Sequence, residues 1–540
     1  MLIRNMKKVK KQQSKTYKEY KHVVSKRIYL EEIDTCMLRQ KVIVLGLIEK
    51  IMQTGGPTVF VLSDGTGSLS LKGFVAPGER AHVGINAGDY VEAEVSIDEF
   101  NGEIEGNIEK IFKKTGEAEA SLKQQIEKRQ RDKAIVKTSD FMLKNGILEK
   151  LKPRIINAAT EIRLAIIKGR PIIVRHHNDT DGYSSGFALE RAILPMIEKY
   201  HSSSKAGWEY FKRAPCSAPY YELEDSIKDT ATSLRNVAKF SDKMPLIVIV
   251  DNGSSPEDLM AIMQAKVHGS DIIVIDHHGF DDDVISSEVL AHINPHLVGE
   301  TGAQISAGML CAETARFINE EVENIEQIPA LAGFADRIDL ANPLLMSQYL
   351  EIAKKTGYSR ELLSDISLVI EYVSTKVRFM EAREYIEVLF GEPRTRQKKL
   401  VSLMAPYIRE LDKKGLAIGK SGAKIEKLGK TTLQTINIEE SFPGFGFFPK
   451  PGRSVGLLHD NLQKEKGITN LISIGIMNTA MTFRATDEAN FSMHELIKML
   501  KKELPNAFVE GGGHKNAGAI NFIPKMKQEV FEVVRKFISR

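Results

Sequence analysis

The chain has 540 residues, well beyond the reach of one hydrophobic core, so about three or four domains are expected. A formal net charge of +4 is small for that length and does not by itself argue for a nucleic-acid partner, so any basic footprint has to be local. Cys36, Cys216 and Cys311 are too scattered for a disulfide framework or a structural zinc site. No stretch approaches the roughly 20 apolar residues of a spanning helix, so a soluble, cytoplasmic protein without a membrane partner is expected.

Residues 1–35 read as a basic N-terminal arm, dense in Lys and carrying Tyr17, Tyr20 and Tyr29. Such a segment is either a phosphate-binding arm or a solvated tail. From Val42 to Ile111 the pattern changes to short alternating runs: VIVLGLIEKI, TVFVLSD, SLSLKGF, DYVEAEVSI and EIEGNIEKI. Turn residues separate them, at Gly55-Gly56-Pro57, Asp64-Gly65-Thr66-Gly67, Pro77-Gly78 and Asn101-Gly102. Residues 36–115 therefore form a small all-β barrel. Its five strands, with DGTG after the second, resemble an OB-fold, which stacks bases of single strands on exposed aromatics. Phe60 and Phe74 are the candidate platforms, unless either points into the barrel core.

Residues 116–165 are charged and helix-favouring, a helical linker leading into the next domain. Beyond Arg170, three aliphatic runs, Ile172 to Val174, Leu246 to Val250 and Ile272 to Ile275, have the length and composition of strands buried on both faces of a parallel sheet. The first leads into His176-His177-Asn178-Asp179-Thr180-Asp181-Gly182, the second into Asp251-Asn252-Gly253, and the third into Asp276-His277-His278-Gly279. Ligands in open α/β sheets sit at the carboxyl ends of the strands, so the three clusters converge on one crevice. Crowded carboxylates repel unless a cation neutralises them, which calls for one or two divalent metals. Mixed Asp and His donors suit manganese, with magnesium, iron or zinc less favoured.

HNDTDG at 177–182, the strand-end Asp251 and Asp276-His277-His278 resemble the three N-terminal motifs of the DHH phosphoesterases, and Gly333-Phe334-Ala335-Asp336 resembles the fourth. The resemblance implies that His177, Asp179, Asp181, Asp251, His277 and Asp336 hold two metals, that Asp251 bridges them, and that His278 faces the phosphate. It leaves open whether His176 or His177 is the ligand, and Asp339 competes with Asp336. Two metals about 4 Å apart activate a water and neutralise charge on the oxygens of an in-line displacement.

Glu510-Gly511-Gly512-Gly513-His514 resembles the GGGH motif of the family's C-terminal, DHH-associated domain, and Phe483-Arg484-Ala485-Thr486 its basic strand. Gly511, Gly512 and Gly513 would let backbone N–H groups approach a phosphate, Arg484 would grip a second one as a fork, and His514 would donate to the scissile group. Gly419-Lys420-Ser421-Gly422 looks like the GxxG clamp of KH domains, although a lysine-rich turn between helices accounts for it as well.

The expected architecture is an OB-like barrel, a DHH catalytic domain of α/β class with a parallel sheet over 166–345, connecting helices over 346–400, and an α/β DHH-associated substrate-binding domain over 401–540. The resemblance implies a single-strand-specific exonuclease of the RecJ-like kind, using two divalent ions, Mn2+ or Mg2+, on DNA or RNA in repair or replication, with repair or replication proteins as partners. A phosphodiesterase for short oligonucleotides or cyclic dinucleotides, and a non-catalytic replication scaffold, are the alternatives.

Overall fold

The computed structural model describes residues 25–137, 140–201, 206–216, 218–240, 243–377, 383–442 and 449–540. Tyr17, Tyr20 and most of the basic arm lie outside them, as do positions 378–382 of the charged run before Arg383. The described end of the arm is part of the barrel. Lys26–Arg27 pairs in parallel with the first long strand, and Ile28 and Leu30 are buried in the barrel core.

Lys41–Gln53, Thr58–Ser63, Ser68–Gly73, Tyr90–Phe100 and Glu103–Lys113 form a five-stranded barrel of OB type. It closes where Lys41–Gln53 pairs with Tyr90–Phe100 and where Ser68–Gly73 runs parallel to Glu103–Lys113. The strict alternation of Lys41–Gln53 turns Val42, Val44 and Ile48 inward, as the pleat requires. Asp64 pins the DGTG turn, accepting from the N–H of Leu30 at 2.9 Å and of Thr66 at 2.7 Å. The barrel docks on the next domain through polar contacts, Lys243 to Glu49 at 3.1 Å, Lys50 to Glu209, and the Ser68 hydroxyl to the Tyr200 carbonyl at 3.2 Å.

The second sheet is wholly parallel, in the order Ala291–Ile293, Asp271–Ile275, Leu246–Val250, Ile172–His176, Phe211–Pro215. Its middle strands are buried along their whole length, which is why they read as continuous aliphatic runs. Helices Gly146–Ile167, Thr180–His201 and Ala307–Ile318 cover one face in a core that also takes in Leu345, Tyr349, Ile366 and Ile408. The expected linker and connecting segments thus contribute helices to the catalytic lobe's own core, because their apolar faces have nowhere else to go.

The third sheet is mixed, in the order Lys424–Leu428, Thr431–Asn437, Leu471–Ile476, Ala480–Ala485, Ala517–Asn521, Glu510–His514, with helices Pro451–Lys466, Met493–Glu503 and Lys527–Ile538 packed on it. Neither reading of Gly419-Lys420-Ser421-Gly422 holds. These residues are the last turn of the helix Arg394–Gly422, and a β-hairpin follows instead of a second helix. Gly419 is there for contact: a Cβ on it would stand 2.9 Å from Leu458. No described helix is long and apolar enough to cross a membrane.

Candidate metal centre and interlobe cleft

The side chains of Ile172–His176 alternate, and His176 follows Ile172 and Val174 toward the helix-covered face. There its ring lies edge-on to Tyr183 at 4.6 Å, with Nδ1 2.7 Å from the His177 carbonyl and Nε2 3.4 Å from Arg213. Burial first, and then Arg213, push its pKa down to about 3, so His176 is a neutral core residue. His177, one residue on, turns into the crevice, with Nδ1 2.8 Å from Asp179 and 3.5 Å from Asp251.

Asp181 opens the helix Thr180–His201 and is fully buried. Its carboxylate accepts from the Ser306 hydroxyl and the N–H groups of Ala307 and Gly308, each at 2.9 Å, at the positive end of helix Ala307–Ile318. Asp251 stands at the end of Leu246–Val250 with φ at +58°, a left-handed conformation uncommon outside glycine. His277 sends Nδ1 to the Gly302 carbonyl at 3.0 Å, leaving Nε2 to face Asp336 at 3.0 Å, Asp251 at 3.4 Å and Asp181 at 3.8 Å. That contact needs glycine at 302, since a Cβ there would fall 1.7 Å from the His277 carbonyl oxygen. Asp339, the competitor of Asp336, is instead paired with Arg360 at 2.9 Å.

These donors form two sets, His177, Asp179 and Asp251, and Asp181, Asp251 and His277, whose ligand atoms in each set lie within 4.8 Å of one another. Asp251 belongs to both. Inside them, Asp251 Oδ2 is buried and makes no hydrogen bond, and His277 Nε2 meets its carboxylates only in poorly aligned contacts. An ion or an ordered water would complete such atoms. The electrostatics agree. Burial first, and then Asp251 and Asp336, raise Asp181 well above the usual carboxylate range, and burial and Asp179 raise Asp251. Burial opposes charge on His177 and His277, yet the surrounding carboxylates raise both well above 6.5. Protons thus occupy positions suited to a divalent cation, and the donor chemistry fits one.

Beside the sets, His278 is held through Nδ1 by Asp276 Oδ1 at 2.8 Å, so its other nitrogen faces the cleft. From the opposite lobe His514 stacks on it, with ring centroids 4.6 Å apart, and comes within 3.9 Å of Asp336. Partial desolvation in the cleft, followed by His278 and His277, lowers the His514 pKa, although nearly half of the side chain stays exposed. Gly511, Gly512 and Gly513 lie in the edge strand Glu510–His514, bonded on one side to Ala517–Asn521 and open on the other. A cleft region of about 850 Å3 between the lobes is lined by His277, Asp336, Arg337, His459, Arg484 and His514, among others. Across it the lobes are tied by Lys450 to the Asn178 carbonyl at 2.8 Å, Lys498 to Asp281 at 2.8 Å and Tyr220 to Glu510 at 3.2 Å.

The family model of the DHH N-terminal domain matches residues 171–334, the segment that carries these strand-end donors. An uncharacterized protein of Methanocaldococcus jannaschii is 34% identical over 520 residues, covering 92% of this chain and 68% of its own. The chain belongs to the DHH family. Members of this superfamily are phosphoesterases. The solved DHH domain of a member of a ribosomal-protein family is 38% identical, with a TM-score of 0.73 over 78% of this chain and 98% of its own. A structure of the exonuclease RecJ bound to manganese overlaps 75% of this chain and 97% of its own, at 14% identity and a TM-score of 0.48.

Within this DHH-family chain the expected platforms part company. Phe60 is fully buried in the barrel core, on the inward parity of Thr58–Ser63, so it offers no stacking surface. Phe74, just past the third strand, is 64% exposed. Phe100 is exposed as well, with Lys72 Nζ 4.1 Å from its ring centroid. Sequence reasoning also missed Glu371, which accepts from the Thr180 N–H at 2.9 Å and so fixes the HNDTDG loop from a distant helix. It missed Arg337 too. The position after Asp336 gave a signal in its charge alone, since its φ of +58° and its place in the cleft are tertiary facts.

Proposed function

We propose that this DHH-family protein is a metal-dependent, single-strand-specific exonuclease that hydrolyses DNA or RNA to nucleoside monophosphates. The observation that carries the reading is the pair of donor sets sharing Asp251, placed under a cleft whose far wall brings His514 and Arg484. His177, Asp179, Asp181, Asp251, His277 and Asp336 would hold two divalent ions, manganese first and magnesium second, as oxygen-rich sets with imidazole favour. Such ions supply an activated water and neutralise charge on the phosphoryl oxygens.

The protein's own groups do the rest. His278, fixed by Asp276, presents its remaining nitrogen to the scissile phosphate, and His514 offers a neutral N–H from the other side. Arg484 takes a neighbouring phosphate as a fork; among the described residues no carboxylate pairs with it. The open side of the glycine strand brings further N–H donors. Phe74 on the barrel stacks a base of a longer strand, which favours polymers over dinucleotides. A nuclease of single strands suits repair or replication in the cytoplasm.

The test is hydrolysis of end-labelled single-stranded DNA and RNA, from dinucleotides to long oligomers, with manganese supplied or chelated and each end blocked in turn. Metal-dependent release of mononucleotides from long strands is expected. Cleavage confined to the shortest substrates would replace this reading with a small-substrate phosphodiesterase, and binding without cleavage would replace it with a scaffold.

A further inference from the structure

Helix Pro451–Lys466 carries a histidine that the proposed function leaves idle. His459 is only 4% exposed, yet it lines the interlobe cleft together with Arg484 and Arg337. The helix sets its place. Gly456, one turn earlier, lies against the Arg484 guanidinium, where a Cβ would stand 3.6 Å from it, and the same face then brings His459 beside that group. Asp460, the next residue, meets Arg337 of the catalytic lobe at 3.5 Å.

A chain of buried hydrogen bonds orients the ring. Gln434 and Ser473 stand opposite each other on the paired strands Thr431–Asn437 and Leu471–Ile476, and both are buried. The Ser473 hydroxyl donates to Gln434 Oε1 at 2.8 Å; having one proton, it then accepts from His459 Nδ1–H at 3.0 Å. This network assigns the tautomer, in which Nε2 carries a lone pair and no proton. Among the described residues no group donates to Nε2. Burial first, opposed by Asp460 and then helped by Arg484 and Arg337, lowers the His459 pKa to about 4, so the ring is neutral.

A bare acceptor beside two guanidiniums has a narrow choice of ligand. The guanidiniums attract a phosphate, but a phosphate oxygen brings lone pairs of its own, which Nε2 repels. The group that satisfies Nε2 is therefore a donor fixed close to a phosphate. In a polynucleotide the bases point away from the backbone, and each phosphate adjoins sugars, whose donors are hydroxyls. Within a chain that hydroxyl is the ribose 2′-OH, which DNA lacks. At a chain end a terminal hydroxyl has the same chemistry.

We propose, on the footing of the nuclease reading of this cleft, that His459 Nε2 accepts a hydrogen bond from a ribose 2′-hydroxyl beside the phosphate held by Arg484, and that the protein thereby prefers RNA to DNA. DNA leaves Nε2 facing a C–H group, which costs about ten- to a hundredfold in kcat/KM, the range for an acceptor deprived of its donor.

The test compares kcat/KM of the full chain, with manganese, on single strands of one sequence made as RNA, as DNA and as 2′-fluoro RNA, which keeps the sugar pucker of RNA without the donor. RNA should exceed both others by that factor. His459→Asn, whose amide can keep the bond to Ser473 while nothing replaces Nε2, should bring the three together, and His459→Gln, whose amide oxygen can reach the Nε2 position, should keep part of the preference. The analogue series in the wild-type chain decides the matter even where a variant unfolds. Equal rates on the three polymers overturn the proposal while leaving the exonuclease intact; so does 2′-fluoro RNA that matches RNA, or a full preference in folded His459→Asn. Fluorescence anisotropy on the same strands gives Kd, and RNA phosphorylated at both ends should still bind more tightly than DNA so treated. Loss of that difference would assign the hydroxyl to the chain end and overturn the 2′ contact. If no polymer is cleaved, the protein is no nuclease, and Kd alone then decides: equal values for RNA and 2′-fluoro RNA overturn the contact, and tighter RNA binding that His459→Asn abolishes upholds it.

Discussion

On the strand-end wall of the cleft several groups are held from behind. Asp181 takes three hydrogen bonds at a helix end, His277 is tied to Gly302 and His278 to Asp276. On the facing wall His514 leaves 46% of its side chain exposed, Arg484 has no carboxylate partner among the described residues, and the glycines occupy a strand with an open side. Under the proposed function the contrast would follow from what each wall binds. A metal ion has fixed distances and little tolerance, so its donors have to be placed before it arrives. A phosphodiester strand would have to enter, shift and leave, and groups without a fixed partner suit that.

Four measurements would break or sharpen that comparison. Asp251→Ala removes the carboxylate common to both donor sets and should abolish both hydrolysis and tight manganese binding, as read by isothermal titration, while single-strand binding stays largely intact. Wild-type turnover in that variant would sink the metal assignment. Arg484→Ala and His514→Ala, on the other wall, should lower kcat/KM by about 10²–10³ with manganese affinity unchanged, on the order of the cost of removing one donor to the developing charge. If either loses metal affinity to the same degree as Asp251→Ala, the division between the walls fails.

The third measurement concerns pH. His177 and His277 have raised pKa values in the metal-free protein, so binding a cation has to expel their protons. Manganese affinity should therefore rise with pH and fall as pH drops, by up to about a hundredfold per pH unit when both protons are displaced. An affinity flat across that range would mean that neither histidine is a ligand. The smallest effect lies farthest away. Phe74→Ala should weaken binding of long strands by about 1–3 kcal/mol and leave dinucleotides unaffected. Phe60→Ala should instead unfold the barrel at lower temperature, since it removes a fully buried ring.

Much of this centre was legible in the sequence because each motif directly follows an aliphatic run, and a parallel sheet sends all such run ends to one crevice. That rule brought the three clusters together, while the resemblance singled out His177, Asp179 and Asp251 within them and left His176 open. His176 and His177 were separable by strand parity, since Val174 and His176 must share a face. The same parity disposes of Phe60, although the sequence could not say which face of Thr58–Ser63 turned inward. What stayed hidden depends on long-range packing: Glu371 reaching Thr180 across 191 positions, or Lys450 meeting the Asn178 carbonyl across 272. Gly419-Lys420-Ser421-Gly422 misled because glycine suggests a turn, whereas Gly419 serves the close approach of Leu458 to a continuous helix.

Asp251 sets stability against turnover at a single position. Its left-handed backbone would relax in glycine by about 1 kcal/mol or more, and losing its buried charge would also relieve the repulsion from Asp179. Glycine would cost unfolded-state entropy and the contacts to His177 and His277 in return, so the strain at this position would be offset only in part. Under the proposed function, a strained, buried carboxylate at this strand end would be tolerated for the ions it holds.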